Sequence, residues 1–233
     1  VQIGLNCIES LKFETHVKHE RLKGLVYFFL LTVPFLGWAE RDSFAVDKNL
    51  RAQDTIIDAQ FTREQVFSGK EIPEAVIRSQ ELITVFYWGF DDTIHQGQLV
   101  CAKEVAKPLK QVFEQLLKIK FPIHSVIPVH AFNWNDEASM QANNTSSFNY
   151  RKTANGGFSA HSQGLAIDIN PFLNPFVSFK GRVAPAGATY NPEVKGTVAQ
   201  GSEVIRIFNQ IGWKWGGNWK SAKDYQHFSR DGR

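Results

Sequence analysis

The sequence has few cysteines, one methionine and little charge of either sign in excess. Two cysteines, Cys7 and Cys101, exclude a disulfide framework and a cysteine-rich zinc site. Any metal in this chain must therefore be held mainly by histidines and carboxylates. With 26 Lys plus Arg against 23 Asp plus Glu, the formal charge is +3, too small and too evenly spread for a basic stripe that tracks a phosphate backbone. Nucleic acid is not an expected partner. The most apolar run, residues 24–39, is shorter than the about 20 residues of a spanning helix. What the chain does have is apolar and aromatic mass. Hydrophobic residues make up 43% and aromatic residues 13%, with 19 Phe and 6 Trp, which excludes a disordered or collagen-like polymer.

The 233 residues fit one domain plus an extension. Lys18, Arg21 and Lys23 precede the apolar core at 24–36, and Gly37 and Ala39 supply small residues at the −3 and −1 positions of a cleavage point. These are the three parts of a secretory signal peptide. The expectation is a leader over 1–39, export, and no stable membrane span after cleavage. Residue 1 is Val rather than Met, and the stretch before Lys18 is long for a charged leader, so translation is expected to start elsewhere, as late as Val17. Cleavage after Ala39 would discard Cys7 and leave Cys101 as a lone thiol.

Residues 40–80 read as a polar, irregular lead-in with a short helix near 62–67, and 81–233 as the main domain. Residues 82–88 and 98–102 are rich in β-branched and aromatic side chains and predict two strands around a loop or hairpin. Val105, Leu109, Val112, Phe113, Leu116 and Leu117 follow helical spacing, ending before Pro122. A short strand is expected over 123–129, and a long loop without periodicity over 133–157. Leu165, Ile167 and Ile169 alternate with Ala166, Asp168 and Asn170, predicting a strand with Asp168 on the face opposite the isoleucines. Residues 172–201 read as an extended surface loop. Ser202 and Gly212 bracket a helix with Val204, Ile207, Phe208 and Ile211 on its apolar face, and two strands follow it. This mixture predicts an α+β fold with a small, mainly antiparallel sheet and flanking helices.

Within Ser159-x-His161-x-x-Gly164-x-Ala166-x-Asp168, a histidine enters a strand that carries an aspartate, and Gly164 permits the turn between them. Five fixed positions recur by chance in fewer than about one chain in ten thousand. Asp224-Tyr-Gln-His227 offers a third ligand. Residues 224 and 227 would point to opposite faces of one strand, so a bend or bulge near Tyr225 is required to bring both inward. Ser159 lies in no G-x-S-x-G elbow and reads as a hydrogen-bonding partner rather than a nucleophile. His95, His124 and His130 lack partners at ligand spacing and read as structural. Asn143 and Asn144 each open an N-x-S/T sequon but read as part of a structural loop. Trp213, Trp215 and Trp219 are either core or a cleft wall, with Trp215 taken as the substrate contact.

The segments Asn143-Asn-Thr-Ser-Ser-Phe-Asn-Tyr-Arg151, Ser159-x-His-x-x-Gly-x-Ala-x-Asp168-Ile-Asn-Pro171, Trp213-x-Trp-Gly-Gly-x-Trp219 and Asp224-Tyr-Gln-His227-Phe resemble the bacterial D-alanyl-D-alanine carboxypeptidase family of zinc peptidases. That family also contains L-alanyl-D-glutamate endopeptidases. The resemblance implies one Zn²⁺ held by His161, Asp168 and His227, with Asp224 as the catalytic base. It places Arg151 near the substrate carbonyl or carboxylate, and Ser159 and Trp215 are taken as further candidate substrate contacts. It implies a Hedgehog/DD-peptidase-like α+β domain, peptidoglycan stem peptides as substrate, and a place in the periplasm or cell envelope of a bacterium. Aspartate at 224, where other members use glutamate, resembles the endopeptidase branch. The rival class is a non-catalytic zinc-binding envelope module, as the similar zinc domain of Hedgehog proteins suggests. Oligomeric state is not legible.

Overall fold

The computed structural model describes residues 55–153 and 156–232. The expected leader and its cleavage point lie outside the described residues. Among the described residues, no helix is long and apolar enough to cross a membrane.

The alternating β-branched and aromatic residues at the start of the main domain form a long hairpin. Strand β1 (Thr55–Ile57) and the short helices α1 (Arg63–Val66) and α2 (Glu74–Ser79) lead into β2 (Gln80–Trp88) and β3 (Ile94–Ala102). The two long strands pair antiparallel from Gln80↔Ala102 to Trp88↔Ile94, and β1 joins β3 in parallel. Helix α3 (Lys103–Lys118) follows directly and buries Val105, Leu109, Val112, Phe113 and Leu116, one stripe at helical spacing. Pro108 lies inside it. The remaining elements are short: β4 (Ser125–Val126), α4 (Asp136–Gln141), β5 (Asn144–Thr145), β6 (Ala166–Asp168), β7 (Phe176–Val177), β8 (Val183–Ala184), α5 (Glu203–Gln210), β9 (Lys214–Trp215), β10 (Lys223–Asp224) and β11 (His227–Ser229).

The α+β class agrees with the sequence reading, but among the described residues the strands divide into four small sheets instead of forming one. In one of them β11 runs between β6 and β9; in another β7 lies between β10 and β8. The main core joins these pieces: Ile83, Val85, Tyr87 and Leu99 from the hairpin meet the α3 stripe, Ile167 and Ile169 around β6, and Phe208 of α5. Phe208 stacks on Phe228 of β11 with ring centroids 4.0 Å apart, which fixes the strand carrying His227 against α5.

Four expectations change. The segment 55–79 is part of the packed body, since Val66, Phe67 and Ile72 form a second apolar cluster with Val100 and Phe148. The strand expected over 123–129 is confined to β4, and 133–157 contains α4 and β5. The loop expected over 172–201 contains the β7–β8 hairpin. Ser202 precedes α5, but its side chain makes no capping bond.

Candidate metal centre and its cleft

His161 lies on a single 3₁₀ turn, Ala160–Gln163, that enters β6. Ser159 caps this turn, its Oγ accepting from the His161 amide at 3.3 Å. The turn closes on Gly164 at φ +68°, where a Cβ would stand 2.5 Å from the Ala102 amide nitrogen and 2.2 Å from Gln80 Oε1. Only glycine satisfies both the left-handed backbone and the close approach. The His161 ring then meets Ser147, whose carbonyl oxygen is 2.7 Å from Nδ1. A carbonyl accepts only, so Nδ1 carries the proton and Nε2 presents its lone pair.

Alternation along β6 buries Ile167 and directs Asp168 to the other side, as the sequence predicts. In the antiparallel pairing of β6 with β11, Asp168 stands directly opposite His227. Three ligand atoms converge as a result. His161 Nε2 lies 3.2 Å from His227 Nδ1 and 3.3 Å from Asp168 Oδ2, and His227 Nδ1 lies 3.1 Å from Asp168 Oδ1. All three residues are buried. Ligand atoms about 2.0–2.1 Å from a tetrahedral zinc stand about 3.3 Å apart, so this triangle matches one face of a zinc tetrahedron. Two imidazoles and one carboxylate also leave a fourth position open, as in catalytic sites. Lone pairs facing one point need a cation between them, and the donor set therefore fits a metal. Among the described residues it is the one group of His, Cys, Asp and Glu placed to hold one. Burial pushes the Asp168 carboxyl up, but the two imidazoles outweigh it and hold the carboxyl well below the usual carboxylate range.

Asp224 reaches the same place from another sheet. Its strand β10 pairs with β7, while His227 three residues later pairs with β6. The bend between them is fixed by Tyr225 N donating to Pro175 O, Ile169 N donating to Gln226 O and Trp215 Nε1 donating to Tyr225 O at 2.8 Å. The chain changes sheets here, which brings both side chains inward without a bulge. Burial and the nearby Asp168 carboxylate push the Asp224 carboxyl up to about 6, against the pull of the two imidazoles. Its Oδ1 is buried without a hydrogen-bond partner among the described residues. Both residues line a cleft of about 1060 Å³, together with His161, Asp168, Arg151 and Ser159.

Residues 152–230 match a protein-family model described as D-alanyl-D-alanine carboxypeptidase. The peptidoglycan L-alanyl-D-glutamate endopeptidase CwlK of Bacillus subtilis is 35% identical over 77 residues, which cover 32% of this chain and 40% of that protein. Residues 152–230 are thus similar to this carboxypeptidase family. The chain spans about two fifths of the length of that curated relative. No solved structure matches the chain.

The family segment contains His161, Asp168, Asp224 and His227, while Arg151 falls just before it. Arg151 lines the cleft, and its Nη2 is 3.0 Å from Asp136 Oδ2. Asn149 Nδ2 donates to the other oxygen of Asp136 at 2.9 Å. Asp136 belongs to α4, within a stretch read from sequence as a loop, so no sequence signal pointed to it. Trp215 requires correction as a substrate contact: it is 3% exposed in the core, with its indole nitrogen bonded to Tyr225. Trp219 instead lines the cleft, its ring centroid 5.5 Å from that of His227. The W-x-W-G-G-x-W motif contained the wall residue, but spacing alone does not say which tryptophan faces outward. Arg182 and Phe176 of the cleft carried no signal, since the β7–β8 hairpin has no alternation to read.

Among the described residues, His95 and His130 make their contacts away from this site. His95 contacts Asp58 and Asp91, and His130 packs edge-on against Phe61. Cys101 is fully buried, and burial, with a smaller contribution from Glu81, pushes its thiol up to about 12. It is therefore an inert core residue.

Proposed function

We propose that the chain is a zinc metallopeptidase that hydrolyses peptide bonds in peptidoglycan stem peptides. In this reading residues 1–39 direct export to the periplasm or cell envelope, 40–80 lead in, and 81–233 form the catalytic domain with a Hedgehog/DD-peptidase-like fold. The observation that carries it is the buried His161–Asp168–His227 triangle with Asp224 beside it on one cleft. When bound by these three residues, zinc supplies Lewis-acid polarisation of a carbonyl and acidification of water.

The chain's own residues do the rest. Asp224 Oδ1, lacking a hydrogen-bond partner, takes a proton as the attacking oxygen forms its bond to carbon and delivers it to the departing amine. Burial raises the basicity of the Asp224 carboxylate, which suits that exchange. Arg151 offers positive charge to the oxyanion. Ser147 and Ser159 hold the His161 ring and its turn, keeping Nε2 directed at the ligand point. Trp219 forms a wall beside His227.

Two bonds are candidates. The family description favours a D-alanyl-D-alanine carboxypeptidase; the relative CwlK and the aspartate at 224 favour an L-alanyl-D-glutamate endopeptidase. Digesting purified stem peptides and weighing the fragments separates them, by release of D-alanine or by a cut before D-glutamate. Asp224→Asn should bind zinc normally and lower kcat by about 10²- to 10⁴-fold. Zinc-loaded wild type that releases no fragment would reject the enzyme in favour of a non-catalytic zinc-binding envelope module.

A further inference from the structure

Among the described residues, Arg151, Arg182 and Arg230 line the cleft, and the first and last of them are already paired with a carboxylate of the protein. Arg151 faces Asp136 at 3.0 Å, and Arg230 Nη1 is 2.6 Å from Glu104 Oε1. Arg182 has no carboxylate within ion-pair reach among the described residues. It is exposed, yet its backbone is held firmly. Its amide donates to Ser178 Oγ at 2.9 Å, and its carbonyl accepts from Ser178 N, so it continues the β7–β8 ladder beyond Val183.

That ladder relates Arg182 to the proposed base. Asp224 is the cross-strand partner of Phe176, and Phe176 is the partner of Ala184; all three line the cleft. Arg182 lies two residues before Ala184, hence on the same face. Two interstrand steps and a two-residue rise put its Cα about 12 Å from that of Asp224. An extended arginine side chain covers roughly half of that span. The far end of the hairpin is tied as well: Gln141 Nε2 donates to Ala186 O at 2.8 Å and Ala186 N donates to Glu137 Oε1 at 3.1 Å. A guanidinium carried on a fixed backbone at the lining of an open cleft, without a protein anion among the described residues, is suited to an anion brought by the substrate, and its planar fork matches a carboxylate.

Resting on the peptidase reading, we infer that Arg182 is a specificity-determining residue that pairs with the α-carboxylate of the residue leaving with the amine. Both candidate bonds supply this chemistry. A terminal D-alanine carries a free α-carboxylate, and so does a D-glutamate linked through its side chain. The substrate class is therefore peptides with a free carboxylate one residue beyond the cut, and a carboxamide there should be disfavoured.

The experiment uses zinc-loaded full chain and two matched pairs of synthetic stem peptides. One pair ends in D-Ala-D-Ala or its carboxamide; the other carries L-Ala followed by side-chain-linked D-glutamate or its α-carboxamide. Wild type should cleave the carboxylate member of one pair at least about tenfold better in kcat/KM, and the reactive pair identifies the source of the carboxylate. Arg182→Ala should abolish the preference, mainly through KM, with an unchanged Tm, and Arg182→Lys should restore part of it. Equal cleavage of both members by wild type, or a preference that survives in Arg182→Ala, overturns the inference and leaves the peptidase reading intact. Wild type that cleaves no member of either pair overturns both.

Discussion

Gly164 shows how one backbone position governs the chemistry of another residue. Its left-handed φ of +68° ends the turn that carries His161, and the space for a Cβ is already taken by the backbone of Ala102 and Cys101 as well as by Gln80. Backbone cannot rotate away as a side-chain end can, so Gly164→Ala must shift the turn. Left-handed strain and overpacking together should cost about 2–4 kcal/mol. The shift also pulls His161 Nδ1 from Ser147 O and turns Nε2 off the ligand point. Zinc titration in chelator-free buffer should show affinity reduced about 10- to 100-fold in Gly164→Ala. In His161→Ala it should show no tight site at all, with the zinc-induced rise in Tm lost. Full zinc affinity in His161→Ala would mean that the metal is held elsewhere.

At the scale of elements, the long pieces were legible and the short ones were not. Strands β2 and β3 and helix α3 are each long enough for periodicity to accumulate, and their burial follows it. The candidate metal set was legible because each half is local: His161 and Asp168 straddle one turn and strand, and Asp224 and His227 one bend. Strands β4, β5, β7 and β8 have two residues each, too few to show a period, and tertiary partners alone define them. Helix α4 buries only Ser139 and so leaves no apolar stripe. What joins these pieces is buried asparagine acting as a backbone substitute. Asn144 Oδ1 accepts from Ile127 N at 2.9 Å and Ser125 Oγ at 3.0 Å, and its Nδ2 donates to Ile127 O at 2.8 Å and Ser139 Oγ at 3.0 Å. Full burial explains why its sequon is structural. Asn144→Ala would strand these groups away from water, at a cost of about 3 kcal/mol. Urea denaturation should show a lower midpoint with an unchanged slope, and an unaltered midpoint would show that water replaces the amide.

For the whole molecule, the packing of the lead-in segment onto the domain introduces a pH dependence that does not involve the metal. His95 of β3 has Asp58, the residue after β1, at 2.9 Å from Nδ1, and Asp91 at 3.0 Å from Nε2. Thr93 Oγ1 also reaches Nε2, and the Tyr87 ring stacks beside the imidazole while its hydroxyl donates to Asp58. A neutral ring can donate to only one of the two carboxylates; the protonated ring donates to both. Burial opposes the charge, but Asp91 and Asp58 prevail and raise the His95 pKa. A proton held more tightly in the folded state contributes stability that is fully present below the unfolded value of about 6.5. That contribution is lost as pH rises through the higher folded value. Asp224, pushed up to about 6, acts with the same sign in the metal-free protein, so the His95 share must be isolated by difference. Metal-free wild type should lose more Tm between pH 6 and pH 8.5 than His95→Gln does. Amide exchange at residues 55–58, corrected for intrinsic rate, should accelerate over the same range in wild type only. Identical pH slopes in the two proteins would mean that β1 is held by its pairing with β3 and its apolar neighbours alone, with no contribution from the charged bridge.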